Sequence, residues 1–142
     1  MKKIILIFIT LSFSFLANAD FEYAVDEYYK KNHKTAFEEF QILAEQGNGK
    51  AQKYLSMMYS NAEGIDEDQD LADIWEEKSL SGLKLLANQG DAEAQFWYAE
   101  SMTNDDKAKV WYKKSFDGFL CAANQGDPYS QRQLYFQLYA SK

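Results

Sequence analysis

The sequence predicts an all-α fold, an α/α solenoid of about seven helices, and three observations support this prediction. The 142 residues include one proline and seven glycines, so few residues interrupt helical segments. Apolar residues recur at a spacing of about four, as they do on one face of a helix. The chain also repeats itself, and each copy carries the same residues where a helix is expected to end.

The first 19 residues are predicted to be a cleaved secretory signal. Lys2 and Lys3 precede an almost unbroken apolar run over 4–16, and Ala17-Asn18-Ala19 places small residues before a cut at Ala19/Asp20. The run is too short to span a bilayer comfortably, although a retained anchor is the alternative. We therefore expect a periplasmic or secreted protein without stable membrane insertion, in which residues 20–142 form one domain.

Charge and composition exclude several classes of function. The formal net charge is −7, and it becomes −9 once the two lysines of the signal are removed. Nucleic acid is therefore not an expected ligand. The single cysteine allows no internal disulfide, and the single histidine excludes a site built on two imidazoles.

Comparing the chain with itself reveals three copies of one helical unit. A shift of 36 residues aligns 70–95 with 106–131 at 12 identical positions of 26, including Trp75 with Trp111. A typical composition would give about two such matches by chance. A third copy, at a shift of 43, matches 43–52 with 86–95. Repeats of this length indicate stacked helical hairpins.

A glycine ends the first helix of each copy, at Gly47, Gly90 and Gly126. Glycine takes the left-handed cap conformation without a Cβ penalty. The residue after each glycine is Asn or Asp, which can accept hydrogen bonds from the first N–H groups of the next helix. Pro128 fits the first position of the last helix. The sequence therefore predicts a tight αα-hairpin turn in each copy.

Each helix can be assigned from these turns and from the apolar spacing. The predicted helices lie near 21–32, 35–46, 49–60, 69–88, 92–103, 107–124 and 128–140. The first helix is expected to cover one open end of the array. The last is expected to cap the other end, because Tyr135 replaces the small Ser56 and Ala99 of the earlier copies.

One motif of the chain resembles the Sel-one-like repeat, a relative of the tetratricopeptide repeat. It consists of Leu43-Ala44-Glu45-Gln46-Gly47, followed by Ala51, Gln52, Leu55 and Tyr59 and then by Ala72 and Trp75. The resemblance covers about Thr35 to Ala140. It implies a tetratricopeptide-like solenoid that binds another protein and is not an enzyme. The structural repeat residues are then Gly47, Gly90, Gly126, Trp75 and Trp111.

An acidic segment imitates the ligand spacing of a calcium loop, with Asp66, Asp68, Asp70 and Glu77 at suitable intervals. The sixth position of such a loop needs glycine for its sharp turn, and here it is Leu71. We therefore favour a solvated helix start, and we expect no metal site and no cofactor.

Cys121 and His33 could in principle act as a nucleophile and its base. However, Cys121 occupies the place that Leu85 has in the preceding copy, which favours a small buried side chain. The sequence also lacks a Gly-x-Ser-x-Gly motif. We therefore expect no catalytic residues.

Aromatic residues are the more informative excess. Phe96, Trp97 and Tyr98 together span about 200° of a helix, which is more than one buried stripe can hold. The repeat assigns Tyr98 to the core, so Phe96 or Trp97 is expected at the surface, along with Tyr112. Either neighbouring hairpins cover these rings, or the rings anchor a protein partner.

Charge is segregated along the chain. Residues 63–77 hold eight acids and no base, and they include Glu67 and Asp70, whereas four lysines cluster within 107–114. Such a distribution suits a charged protein partner, for example a basic or toxic effector. Glu67 and Asp70 therefore join Phe96, Trp97 and Tyr112 as candidate partner-binding residues.

Three functional hypotheses follow from the sequence. The leading hypothesis is an exported scaffold or adaptor that binds another protein. The alternative is a periplasmic immunity protein that neutralises a secreted toxin by direct binding. A hydrolase acting on β-lactams or the cell wall is the third.

Overall fold

The computed structural model describes residues 20–139, and this range contains helices and loops but no strand. The predicted signal at 1–19 lies outside the described range. The helices are α1 (20–29), α2 (His33–Glu45), α3 (Gly49–Asn61), α4 (Gln69–Gln89), α5 (Ala92–Glu100), α6 (Asp105–Asn124) and α7 (Pro128–Tyr139). The all-α prediction is therefore confirmed. None of the helices within 20–139 is long and apolar enough to cross a membrane.

The chain divides into two compact units, one ending at Ser79 and the other beginning at Leu80. The first unit contains α1, α2, α3 and the first half of α4, and α2 packs against α3 within it. The second unit contains the rest of α4 with α5, α6 and α7. In this unit α6 packs against both α5 and α7.

The three repeat turns adopt one backbone conformation. Gly47, Gly90 and Gly126 have φ angles of +89°, +98° and +93°, which confirms them as left-handed helix caps. In each turn the glycine N–H donates to the carbonyl three residues earlier, and the next N–H donates to the carbonyl five residues earlier. This pair of bonds is the Schellman motif, and it satisfies carbonyls that the end of a helix would otherwise leave unpaired.

Each turn also contains a side-chain hydrogen bond that was not anticipated from the sequence, between a glutamine of the second helix and a carbonyl near the end of the first. Gln52, Gln95 and Gln131 each donate through Nε2 to the carbonyl of the alanine eight residues earlier, at 3.0, 3.0 and 3.2 Å. We call this contact the glutamine bond. It recurs in all three copies, so the sequence repeat is also a repeat of local structure.

The residues after the turn glycines cap the following helices as predicted. Asn48 Oδ1 accepts from the N–H groups of Lys50 and Ala51 at the start of α3. Asp91 accepts from the Ala94 N–H and Asp127 from the Ser130 N–H. Four helices thus begin at side-chain caps that the sequence indicated, because Asp68 also accepts from the Leu71 N–H.

Helix boundaries differ from prediction at two places. α1 ends at residue 29 rather than near 32, because Lys31 adopts a left-handed φ of 69° and forms a turn. α5 ends at Glu100 rather than near 103, and α6 begins at Asp105 because Asn104 accepts from the Lys107 N–H. Both shifts place a cap where the apolar spacing alone would continue a helix.

An aromatic cluster forms the core of the first unit. Phe40 and Tyr54 are buried and stack with ring centroids 4.4 Å apart, and Phe21 of α1 contacts both rings. Tyr28 packs its ring edge on Tyr54 and donates its hydroxyl to Glu63 Oε2 at 2.6 Å. Helix α1 therefore contacts both α2 and α3 through Phe21.

The last helix does not match its predicted role as closely. Tyr135 is 61% exposed, so this ring is not buried as a covering cap, whereas Ser56 and Ala99 at the equivalent positions are buried. The buried side of α7 instead includes Ser130, and Tyr129 donates its hydroxyl to the buried Glu93 of α5.

Candidate functional site: the aromatic surface of the α5–α6 hairpin

Helices α5 and α6 approach closely near the start of α5. A Cβ added at Gly118 of α6 would lie 2.9 Å from the Ala92 Cβ, so the space between the helices admits only glycine there. The buried Ser115 donates its hydroxyl to the Ala92 carbonyl at 2.6 Å. These small residues fix the separation of the two helices and therefore set the positions of the larger side chains further along α5.

Two aromatic pairs bridge α5 and α6. Phe96 and Tyr112 meet edge to face with ring centroids 5.6 Å apart, and Tyr98 and Trp111 do so at 5.4 Å. Both distances lie in the favourable range for tilted aromatic pairs. We call the Phe96–Tyr112 pair the aromatic surface, and the Tyr98–Trp111 pair lies on the other side of α5, about 200° away around the helix. The structure thus brings together two of the predicted partner-binding residues, Phe96 and Tyr112.

The aromatic surface is only partly covered by the rest of the chain. Tyr112 is 37% exposed, while Phe96 is partly buried. Burial and the nearby Glu100 carboxylate both raise the pKa of Tyr112 above its ordinary value, burial being the larger cause. Tyr112 therefore stays a neutral phenol, able to donate a hydrogen bond, at neutral pH.

Two lysines, Lys113 and Lys114, directly follow the aromatic residues of α6. The Lys114 ammonium lies 4.1 Å from the centroid of the Trp111 ring, and Lys78 lies 4.3 Å from Trp75 at the equivalent positions of the preceding copy. Lys113 pairs with Asp117 at 2.7 Å, and both side chains are largely exposed. Exposed pairs of this kind contribute little stability, so Lys113 can exchange Asp117 for a carboxylate of a partner at little cost.

Trp97 does not belong to the aromatic surface. Its side chain is only 7% exposed, so of the two residues considered for the surface, Phe96 is the partly exposed one and Trp97 is buried. Phe96, Trp97 and Tyr98 together span about 200° of the helix, so they cannot all be buried on one face. Trp97, in the middle, is buried, and the rings of Phe96 and Tyr98 on either side of it are partly exposed. The repeat had instead assigned Tyr98 to the core.

Glu67 and Asp70 lie in the first unit, whereas the aromatic surface belongs to the second. Both acids are exposed, and Asp70 lies in the first turn of α4. A negative charge there interacts favourably with the N-terminal end of the helix dipole. Further along this acidic segment, the Lys53 ammonium donates to Glu76 Oε1 and Oε2 at 2.8 and 2.9 Å.

The remaining candidate residues for chemistry are Cys121 and His33. Cys121 is exposed, contrary to the expected buried position, and Leu85 at the equivalent position of the preceding copy is 60% exposed as well. Cys121 belongs to the second unit and His33 to the first. Within residues 20–139, no group of three or more Asp, Glu, His or Cys residues could hold a metal ion.

Sequence reasoning missed the partnership of Tyr98 with Trp111. The signal was present, because Tyr98 follows Phe96 by two positions and Trp111 precedes Tyr112 in an antiparallel neighbour.

No family model matches the chain, and no curated protein matches it.

Proposed function

We propose that this chain is an exported, non-catalytic helical-repeat protein that binds another protein through the aromatic surface of α5 and α6. The observation that carries the proposal is the Phe96–Tyr112 pair, a partly exposed aromatic contact held on two closely packed helices. Aromatic residues on a rigid support are typical anchors of protein interfaces. Lys113 and Lys114, which follow Tyr112 along α6, supply charge beside this apolar pair, as the polar rim of an interface does.

The proposed architecture is a tetratricopeptide-like solenoid of the Sel-one-like kind. Its support is local: three Schellman turns, three glutamine bonds and the repeated Trp–Lys contacts occur at equivalent positions. Hairpins of this kind bury their apolar faces against their neighbours and expose extended surfaces that bind partners. The proposed location, the periplasm or the outside of the cell, rests on the predicted signal at 1–19.

Site-specific photo-crosslinking tests the binding proposal. A photoreactive phenylalanine analogue at position 112 should trap a partner from a periplasmic extract, whereas the same analogue at the exposed position 85 should not. With the trapped partner purified, Tyr112→Ala should weaken binding by about 2 kcal/mol, the loss expected for an interface anchor. Wild-type affinity in both Phe96→Ala and Tyr112→Ala variants would contradict the proposal.

A second candidate function is immunity against a secreted toxin, and the acidic segment 63–77 is the observation that favours it. Its exposed acids, among them Glu67 and Asp70, could attract a basic toxin and raise the rate of association. Charge reversal at both positions should therefore slow association and weaken its salt dependence, with a smaller effect on dissociation.

Protection of cells that produce a toxin encoded beside this gene would favour immunity over a scaffold role. Turnover of nitrocefin or muropeptides by the purified chain would instead favour a hydrolase.

A further inference from the structure

The turn between α2 and α3 contains the only Asn-Gly step of the sequence, Asn48-Gly49. Such a step is especially prone to spontaneous deamidation, because the glycine nitrogen can attack the asparagine side chain without hindrance from a Cβ. Every other asparagine of the sequence precedes a residue that carries a side chain. This reactivity is therefore concentrated at one position of the chain.

Deamidation at this position uses water and no other reagent. The Gly49 nitrogen bonds to Asn48 Cγ while the bond from Cγ to Nδ2 breaks, and Nδ2 leaves as ammonia with the Gly49 proton. Water then opens the resulting succinimide ring. Cleavage of the new bond from nitrogen to Cγ gives aspartate, whereas cleavage of the original peptide bond gives isoaspartate, whose main chain runs through Cβ and Cγ.

The folded turn holds the reacting groups away from the geometry of this ring. Ring closure requires the Gly49 nitrogen to lie beside Cβ about the Cα–C bond of Asn48, whereas the ψ angle of 108° keeps the two atoms far apart. Asn48 Oδ1 accepts from the Lys50 and Ala51 N–H groups, both at 3.1 Å, which fixes the side chain at the start of α3. Gly49 is buried, so water and base have little access to its N–H.

The main chain on the other side of Asn48 is fixed as well. The Asn48 N–H donates to the Leu43 carbonyl at 3.0 Å, and the glutamine bond from Gln52 joins α3 to the Ala44 carbonyl. Gln52 is buried, so water does not readily replace this bond. These contacts must break before the Asn48 side chain can turn toward Gly49.

We propose that Asn48 is a deamidation site that the folded α2–α3 turn protects, so that aspartate or isoaspartate at position 48 marks chains in which this turn has opened. Deamidation is slow compared with the opening and closing of a turn, so its rate in the folded protein follows the population of the open state. The loss of ammonia is irreversible, and the product therefore accumulates with the time spent open. This inference goes beyond the proposed function, because it involves neither the aromatic surface nor a partner.

The other two copies indicate which product the fold accepts. Asp91 and Asp127 stand at the positions equivalent to Asn48 and cap α5 and α7 through their carboxylates. Aspartate at position 48 should therefore keep the cap, and its negative charge suits the start of a helix. Isoaspartate adds one methylene to the main chain at the turn, which moves the cap away from the N–H groups of α3.

Peptide mapping by mass spectrometry measures conversion at position 48, in native buffer and in concentrated urea at the same pH and temperature. Conversion should be at least about tenfold slower in native buffer, because only the open fraction reacts. Gly49→Ala should slow the reaction in urea by about tenfold or more, because its Cβ hinders ring closure and folding plays no part there. Equal rates in native buffer and urea, or no conversion in urea, would overturn the proposal.

Two glutamine variants test whether the protection lies in the α2–α3 turn. Gln52→Met removes the glutamine bond of this turn and should raise the rate in native buffer about fivefold. Gln131→Met is the matched control, because it removes the equivalent bond of the last turn and should leave the rate at position 48 unchanged. Circular dichroism first establishes that both variants are as helical as the wild type. Equal acceleration by both, or by neither, would overturn the assignment to this turn.

Thermal denaturation of Asn48→Asp tests which product is accepted. Its midpoint should be at or above that of the wild type, because Asp91 and Asp127 already act as caps of this kind. A lower midpoint would overturn the inference that aspartate preserves the turn. None of these measurements uses a partner, so failure of this inference is distinguishable from failure of the proposed function.

Discussion

Gly64 and the three turn glycines share a left-handed backbone but differ in what surrounds them. An added Cβ at Gly47, Gly90 or Gly126 would meet no atom within 4 Å, so only the backbone conformation requires glycine there. At Gly64, with φ of +81°, the same Cβ would lie 2.5 Å from the His33 carbonyl oxygen. The loop between α3 and α4 therefore needs glycine for two independent reasons.

This difference predicts two sizes of effect for one substitution. Gly90→Ala and Gly126→Ala should each lower the free energy of unfolding by roughly 1 kcal/mol or more, the cost of a Cβ in a left-handed conformation. Gly64→Ala should cost about 3 kcal/mol or more, because backbone atoms must also move. Urea denaturation measures all three. Equal midpoints for Gly64→Ala and Gly90→Ala would contradict the predicted contact with His33.

Tyr28 provides a second prediction at the scale of a residue. Its pKa is raised above the ordinary value by burial and also by its hydrogen bond to Glu63 and the charge of that carboxylate. Tyr28→Phe removes this bond, and at neutral pH it should lower the free energy of unfolding by about 1 to 2 kcal/mol.

The pH dependence of this effect has a definite sign. The unfolded chain ionises its tyrosines near pH 10, whereas folded Tyr28 holds its proton to higher pH. The stabilisation by Tyr28 is therefore complete below about pH 10 and is lost as the pH rises further. The difference between wild type and Tyr28→Phe should shrink above that pH. Tyr23→Phe, at an exposed position of α1, is the control and should change stability little at any pH.

At the scale of helices, sequence patterns predicted the number and order of elements because their ends are determined by local chemistry. Gly90, Asp91 and Pro128 act through their own backbone or a neighbouring N–H group, and the structure places them as expected. Burial was harder to predict, as Trp97 and Cys121 show, because it depends on which face of a helix its neighbours cover. The sequence identified the Phe96–Tyr112 region as a candidate site but could not separate Trp97 from it.

The glutamine bonds allow a prediction on the hairpin turns. Gln95→Met keeps the size of the side chain but removes the donor to the Ala87 carbonyl, and it should cost about 1 kcal/mol of stability. Gln52→Met should cost a similar amount, because Gln52 is also buried. Gln131→Met should cost less, because Gln131 is exposed and water can replace its bond. Thermal denaturation of the three variants gives the order, and a largest effect at Gln131 would contradict this explanation.

Because Trp97 is buried and Tyr112 is partly exposed, we expect truncation of these two side chains to affect stability differently. Trp97→Ala should lower the free energy of unfolding by about 3 to 5 kcal/mol, as truncation of a buried large ring does. Tyr112→Ala should cost about 1 kcal/mol or less, because its ring is partly exposed. Chemical denaturation compares the two. A Trp97→Ala variant as stable as the wild type would show that this side chain is not packed in the core.

At the scale of the whole molecule, the division of the chain does not follow the sequence repeat. The boundary between the compact units falls after Ser79, inside α4, whereas the 36-residue repeat relates 70–95 to 106–131 without a break there. The repeat is defined by identical residues at a fixed spacing, whereas a compact unit is defined by the residues that pack together. The sequence therefore indicated the copies but could not indicate this division.

Export can be tested on the whole molecule by intact mass spectrometry. If residues 1–19 are a cleaved signal, protein recovered from the periplasm or medium should begin at Asp20. The chain expressed without these residues, starting at Asp20, supplies the reference mass. A recovered mass that retains residues 1–19 would contradict the predicted cleavage.

The reach of the hydrogen bonds along the chain has a consequence for the order of folding. Glutamine bonds join residues eight positions apart, whereas the Tyr28–Glu63 and Tyr129–Glu93 bonds span 35 and 36. Contacts close in sequence lose little chain entropy when they form and are associated with fast folding. We therefore expect each turn to close early and independently of the rest of the chain. We expect the two tyrosine–glutamate bonds to form later, because each of them closes a longer loop.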